Sequence, residues 1–113
     1  MAKKHLYVIG KISGCENNNL SEFKKAKEQL EKAGFEVTIP QNIINKETSW
    51  QLAMRKSLTF ILSVDKNQEP IIDGIAELPG IYGSRGARCE SGVCQQLGIP
   101  HKPVSEWVKQ INL

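Results

Sequence analysis

The chain has 113 residues, of which 40% are hydrophobic and 24% charged, and 15 Lys+Arg against 12 Asp+Glu leave a net charge of +3. That length fits one domain over 1–113. The positive charge is spread over pairs such as Lys3-Lys4, Lys24-Lys25 and Arg55-Lys56, which gives no basic block for a nucleic-acid polymer. No apolar run approaches the roughly 18 residues of a membrane span. The apolar segment after Met1-Ala2-Lys3-Lys4 is too short for a signal-peptide core. Cys15, Cys89 and Cys94 are too few and too irregularly spaced for a disulfide framework, so the expected compartment is the reducing cytoplasm.

His5 to Ile9 is a β-branched and aromatic run stopped by Gly10, and it predicts a first strand. Residues 10 to 19 have loop composition. Leu20, Phe23, Ala26, Leu30 and Ala33 recur at helical spacing, with Asn19 as the expected cap, Glu22 as its reciprocal partner and Gly34 as the stop. Phe35, Val37 and Ile39 alternate as a second strand ended by Pro40. Thr48 is the expected cap of a second helix whose inner stripe reads Trp50, Met54, Leu58 and Ile61 or Leu62. Residues 58 to 64 also suit a strand, but the stripe keeps its register and favours helix.

Asp65 to Pro70 is a polar break, with Asp73 ending the segment ahead of the next strand. Ile75 to Leu78 predicts a third strand, stopped by Pro79-Gly80. A third helix runs from Ser84–Gly86 to Leu97, with Gly98 as its stop. A short edge strand follows within Ile99 to Val104, broken by Pro100 and Pro103. Ser105 caps a last helix, 106–111. The β-α-β-α-β-α-β-α order implies an α/β fold: a parallel sheet with right-handed crossovers and helices on both faces. Ligands of such sheets bind outside the carboxyl ends of the strands, at the topological switch point.

Three segments converge there: the loop after strand 1, the loop after strand 2, and the turn from strand 3 into helix 3. Gly10-x-x-x-Gly14, which includes Ser13, is placed to cradle a phosphate or sugar with its backbone amides. It lacks both the P-loop ending and the dinucleotide glycine pattern, and a tight turn without a ligand explains it equally well. In Ser84-Arg85-Gly86-Ala87-Arg88-Cys89-Glu90, small residues clear space around Glu90 in the first turns of a helix. Glu90 read alone is also what favours a helix macrodipole. Glu77 in an apolar strand either faces the crevice or is solvated by an irregular strand end. Tyr7 either packs or sends its hydroxyl to Glu90. His5 and His101 show no local partners, Trp50 and Trp107 read as core or interface residues, and a zinc site is not expected.

Taken together, Tyr7 to Gly14, Ala33 to Val37, Trp50 with Met54-Arg55, Leu78-Pro79-Gly80, Ser84 to Glu90 and Leu97 to Pro100 resemble the DUF4406 family. That family belongs with the nucleoside 2-deoxyribosyltransferase-like proteins. The segment Leu-Pro-Gly…Ser-x-Gly-Ala-x-x-Glu is the specific part of the resemblance. The resemblance implies a three-layer flavodoxin-like sheet in order 2-1-3-4, no cofactor or metal, and a nucleoside or nucleotide ligand. It implies Glu90 as the nucleophile on the anomeric carbon and Tyr7 as the residue orienting it. The substrate-binding set it implies is Gly10, Ser13, Gly14, Pro79, Gly80, Ser84, Gly86 and Ala87. Catalytic relatives carry an aspartate, serving the leaving base, where this chain has Ser57, and Glu77 is the substitute carboxylate in sequence. Hydrolysis or transfer of the sugar and non-catalytic binding of a nucleotide-derived molecule both fit. A homodimer is expected to close so shallow a site.

Overall fold

The computed structural model describes residues 3–12, 14–45 and 48–110. Among them β1 (His5–Ile9), β2 (Glu36–Thr38), β3 (Gly74–Glu77) and β4 (His101–Pro103) alternate with α1 (Leu20–Lys32), α2 (Trp50–Leu62), α3 (Arg85–Leu97) and α4 (Val104–Val108). The sheet order is β2-β1-β3-β4 and every pairing is parallel. This is the parallel α/β arrangement expected from the order of elements, in the flavodoxin-like strand order that the resemblance implied. Residue 7 of β1 lies between Thr38 of β2 and Ile75 of β3, and Ile9 lies beside Glu77. The three-residue strands β2 and β4 form the two edges.

The two-residue period of β1 sorts its side chains between two cores. Leu6 and Val8 join Ala76 and Leu78 under Phe23, Ala26 and Leu30 of α1 and Val104 and Trp107 of α4. Tyr7 and Ile9 join Ile75 on the opposite face, covered by Ile61 of α2 and Ala87 and Cys94 of α3. Helices therefore cover both faces of the sheet. Gly74 is needed where Trp107 crosses β3. A Cβ there would come within 2.7 Å of the indole, and the indole N–H donates to the Ile75 carbonyl at 2.8 Å.

Several local expectations are corrected. Helix α2 is capped by Ser49, whose hydroxyl accepts the Leu52 N–H at 3.3 Å, not by Thr48. Asn19 occupies the cap position of α1 as expected, but its side chain makes no capping bond there. It sits at φ 60 after Asn17 and Asn18 in the same left-handed region, and its amide donates to the Lys11 carbonyl at 2.9 Å. Ser105 lies inside α4, whose cap position is Pro103. Residues 58 to 62 are helical, as the stripe required, but the buried side chains of α2 are Ser57 and Ile61. Trp50 and Leu62 are exposed, so the inward face is rotated away from the apolar stripe. The polar break forms a small turn closed by a Val64–Pro70 bridge, with Asp65 accepting the Asn67 and Glu69 amides at 2.7 and 3.1 Å. Asp73 accepts the His5 N–H at 2.8 Å and so ties the entry of β1 to that of β3.

Candidate functional site

Three elements bring three oxygen-bearing side chains together. The position of Tyr7 on β1 points it into the α2/α3 face, where it is fully buried. Ser57, one of two buried residues of α2, meets the tyrosine hydroxyl at 2.8 Å. The Ser57 hydroxyl in turn donates to Oε2 of Glu90, in the second turn of α3. With its proton committed to the carboxylate, Ser57 accepts from Tyr7, so the chain runs from phenol to serine to carboxylate. The tyrosine therefore reaches Glu90 through Ser57 and not by sending its own hydroxyl to the carboxylate.

Glu90 is 7% exposed. Burial pushes its carboxyl up to about 7, while the Ser57 hydrogen bond pulls it down. A charged carboxylate in a poorly solvated site is disfavoured unless hydrogen bonded, and here one bond offsets only part of that cost. Burial also raises the Tyr7 phenol, opposed by its bond to Ser57 and reinforced by the Glu90 charge, so the phenol is neutral and able to donate. Behind the trio, burial and the charges of Glu90 and Glu77 push the Cys94 thiol up to about 11, which makes it a poor nucleophile at neutral pH.

Glu90 and Ser57 both line a cavity of about 820 Å³, within the range of small-molecule sites. It lies at the carboxyl ends of β1 and β2 and the start of α3. Gly10, Lys11, Asn17 and Asn18 come from the loop after β1, Gln41 and Asn45 from the loop after β2, Trp50, Met54 and Ser57 from α2, and Ser84 to Ala87 from the turn into α3. Ser84 caps α3 by accepting the Ala87 N–H at 3.2 Å. The lack of a side chain at Gly86 lets Met54 and Trp50 approach α3. A Cβ there would come 3.1 Å from the Met54 sulfur and 3.5 Å from the Trp50 ring nitrogen. The Arg85 guanidinium lies over the Trp50 ring at 4.4 Å. Glu90 is the only acidic residue among the described residues of the lining, and Lys11 and Arg85 are its cations.

The DUF4406 family model, described as a domain of unknown function, matches residues 4–102. The chain belongs to the DUF4406 family. No curated protein and no solved structure gives a significant match. The matched span of this DUF4406 protein contains every residue of the Tyr7–Ser57–Glu90 chain and every described wall of the cavity.

Of the residues singled out in the DUF4406 sequence, Glu90, Gly10, Ser84, Gly86 and Ala87 line the cavity together. Ser13 lies outside the described residues. Gly14 sits at φ 80 in a turn and is not part of the lining. Pro79 and Gly80 line a separate surface groove between α1 and α4, and Glu77 also borders it. Glu77 is therefore no stand-in for an acid beside Glu90. Its Oε2 accepts from Ser91 at 3.0 Å and from His101 Nδ1 at 3.0 Å, while His101 Nε2 meets Gln95 at 2.7 Å. That set ties β3 and β4 to α3. It also gives His101 partners that the sequence did not disclose, just as His5 meets Thr38 at 2.7 Å. Trp107 is core, whereas Trp50 is a cavity wall. Sequence reasoning missed Lys11, Asn17, Asn18, Gln41 and Met54. The signal available for the last was its i+4 spacing from Trp50.

Proposed function

We propose that this DUF4406 protein is nucleoside 2-deoxyribosyltransferase-like, that it binds a nucleoside or nucleotide beside Glu90, and that it breaks the N-glycosidic bond with Glu90 as nucleophile. The observation that carries this reading is a buried carboxylate held at one oxygen by Ser57 and lining a ligand-sized cavity. In this mechanism a carboxylate oxygen bonds to C1′ as the C1′–N bond breaks, through an oxocarbenium-like transition state. The electron pair of the broken bond leaves with the base. Water, or a second base in a transferase, then displaces Glu90 from C1′. Ser57 and Tyr7 position the carboxylate and stabilise its charge in the resting state. Three free thiols support a reducing compartment such as the cytoplasm. Among the described residues no helix is long and apolar enough to cross a membrane. A second copy of the chain closing the cavity mouth belongs to the same reading.

The test is a panel of N-glycosides with purine, pyrimidine and pyridinium bases, each with and without a 5′-phosphate. Free base is followed by chromatography. Release that vanishes in Glu90→Gln supports the proposal. The second reading, a binder without turnover, is favoured by the single acid among the described lining residues. Heat of binding without release of any base is its signature.

A further inference from the structure

An N-glycosidic bond to a neutral base breaks slowly unless the departing base is protonated on another of its ring atoms, which is why such cleavage ordinarily employs a second acid. Among the described residues, the groups around Glu90 are poorly suited to that task. The Ser57 proton is committed to the Glu90 carboxylate and the Tyr7 proton to Ser57, and Tyr7 is fully buried. The described lining otherwise offers amides, hydroxyls and two exposed cations, with Glu90 as its acid. Glu77, the acid that sequence offered as a substitute, is turned toward Ser91 and His101.

One class of N-glycoside removes the need for a proton donor. When C1′ is joined to a quaternary pyridinium nitrogen, the ring already carries the positive charge and leaves as a neutral pyridine. We propose, building on the N-glycosidase reading above, that the substrate of the Glu90 cavity is a pyridinium nucleotide. The charge pattern of the lining fits such a zwitterion. The negative group is at the floor, 7% exposed, where the cationic ring and C1′ would lie. The positive groups, Lys11 and Arg85, are exposed at the rim, where a phosphate would lie. The Trp50 indole already carries one planar cation, the Arg85 guanidinium, 4.4 Å from its ring centre. Its quadrupole suits an aromatic cation in the same way.

The step balances without an oxidant or cofactor. A Glu90 oxygen bonds to C1′, and the C1′–N bond breaks with its electron pair going to the ring nitrogen. Water then bonds to C1′ and the ester oxygen takes its electrons back to Glu90. One water is consumed and one proton is released per turnover. Hydrolysis of a neutral nucleoside releases no proton overall, because the departing base retains it.

The experiment compares nicotinamide mononucleotide and nicotinamide adenine dinucleotide with deoxyadenosine, deoxyadenosine 5′-monophosphate and thymidine, all on the full chain. Base release is read by chromatography and proton release by a pH indicator in weak buffer. The expected result is nicotinamide release at least 100-fold faster than release of any neutral base, with one proton per nicotinamide. Glu90→Gln, checked for folding by its melting curve, abolishes it. Release of neutral bases with the pyridinium substrates left intact overturns this proposal while keeping the N-glycosidase reading. No release from any of the five overturns both.

Discussion

At the scale of single residues the tension lies in Glu90, a carboxyl that folding buries and a hydroxyl only partly satisfies. Its folded pKa, about 7, lies above the ordinary 4.5, so the folded state holds a proton that the unfolded state gives up between those values. The stability this lends is fully present below about 4.5 and is lost as pH rises through about 7. Glu90→Gln, which keeps an acceptor for Ser57, removes that loss. Denaturant unfolding is expected to show the variant more stable than the parent at pH 8 by up to about 3 kcal/mol, and close to it at pH 4. Ser57→Ala acts in the other direction. It removes the bond that pulls the Glu90 carboxyl down and strands the Tyr7 hydroxyl, so the Glu90 midpoint, read by NMR titration, rises above that of the parent. Stability falls by about 1–3 kcal/mol from the unpaired phenol. Glu90 was legible in sequence because glycines flank it at the start of a helix. Ser57 was marked only through the resemblance, as the position of the relatives' aspartate, and its bonds to Tyr7 and Glu90 were not legible. A serine in mid-helix reads as a polar surface residue, and only the packing of α2 against β1 turns it inward between Tyr7 and Glu90.

At the scale of elements, order and type followed from periodicity, while caps and faces did not. Adjacent residues Thr48 and Ser49 are chemically equivalent capping candidates, and the choice between them is made by backbone geometry. The Asn17-Asn18-Asn19 run enters the left-handed region, which local propensity permits for asparagine but does not specify. The apolar stripe of α2 misled because two of its members, Trp50 and Met54, serve the cavity wall and not the core. Ser49→Ala is expected to cost about 1 kcal/mol through the lost cap, measured by chemical denaturation. Two glycines separate close packing from open space. Gly74→Ala forces a methyl against the Trp107 ring and costs about 1–3 kcal/mol. Gly92→Ala, in mid-α3 with nothing within 4 Å, gains about 1 kcal/mol from helix propensity.

At the scale of the whole molecule, the layers set where the chain is firm and where it yields. Strands β1 and β3 lie at the centre of the sheet with apolar cores on both faces, so their amides are expected to be the slowest to exchange with deuterium. The turn around Asp65 to Glu69, exposed throughout, is expected to exchange first. Exchange in β1 as fast as in that turn would contradict the layered packing. The site sits where these firm strands end. That much was legible from the alternation of elements, because the switch point of a parallel sheet follows from its strand order. The switch point also named the loops after β1 and β2 as its walls, but which of their side chains face the cavity was not legible, since polar residues such as Asn17, Asn18 and Gln41 carry no spacing that singles them out.

The brevity of the outer strands has a consequence for self-recognition. A foreign β-segment seeking to template on this sheet finds three residues to align with on either flank, and on one of them Pro103 lacks an N–H. Fibril-like growth by annealing flank to flank is thereby discouraged, and copies that do meet are steered to meet through helical surfaces.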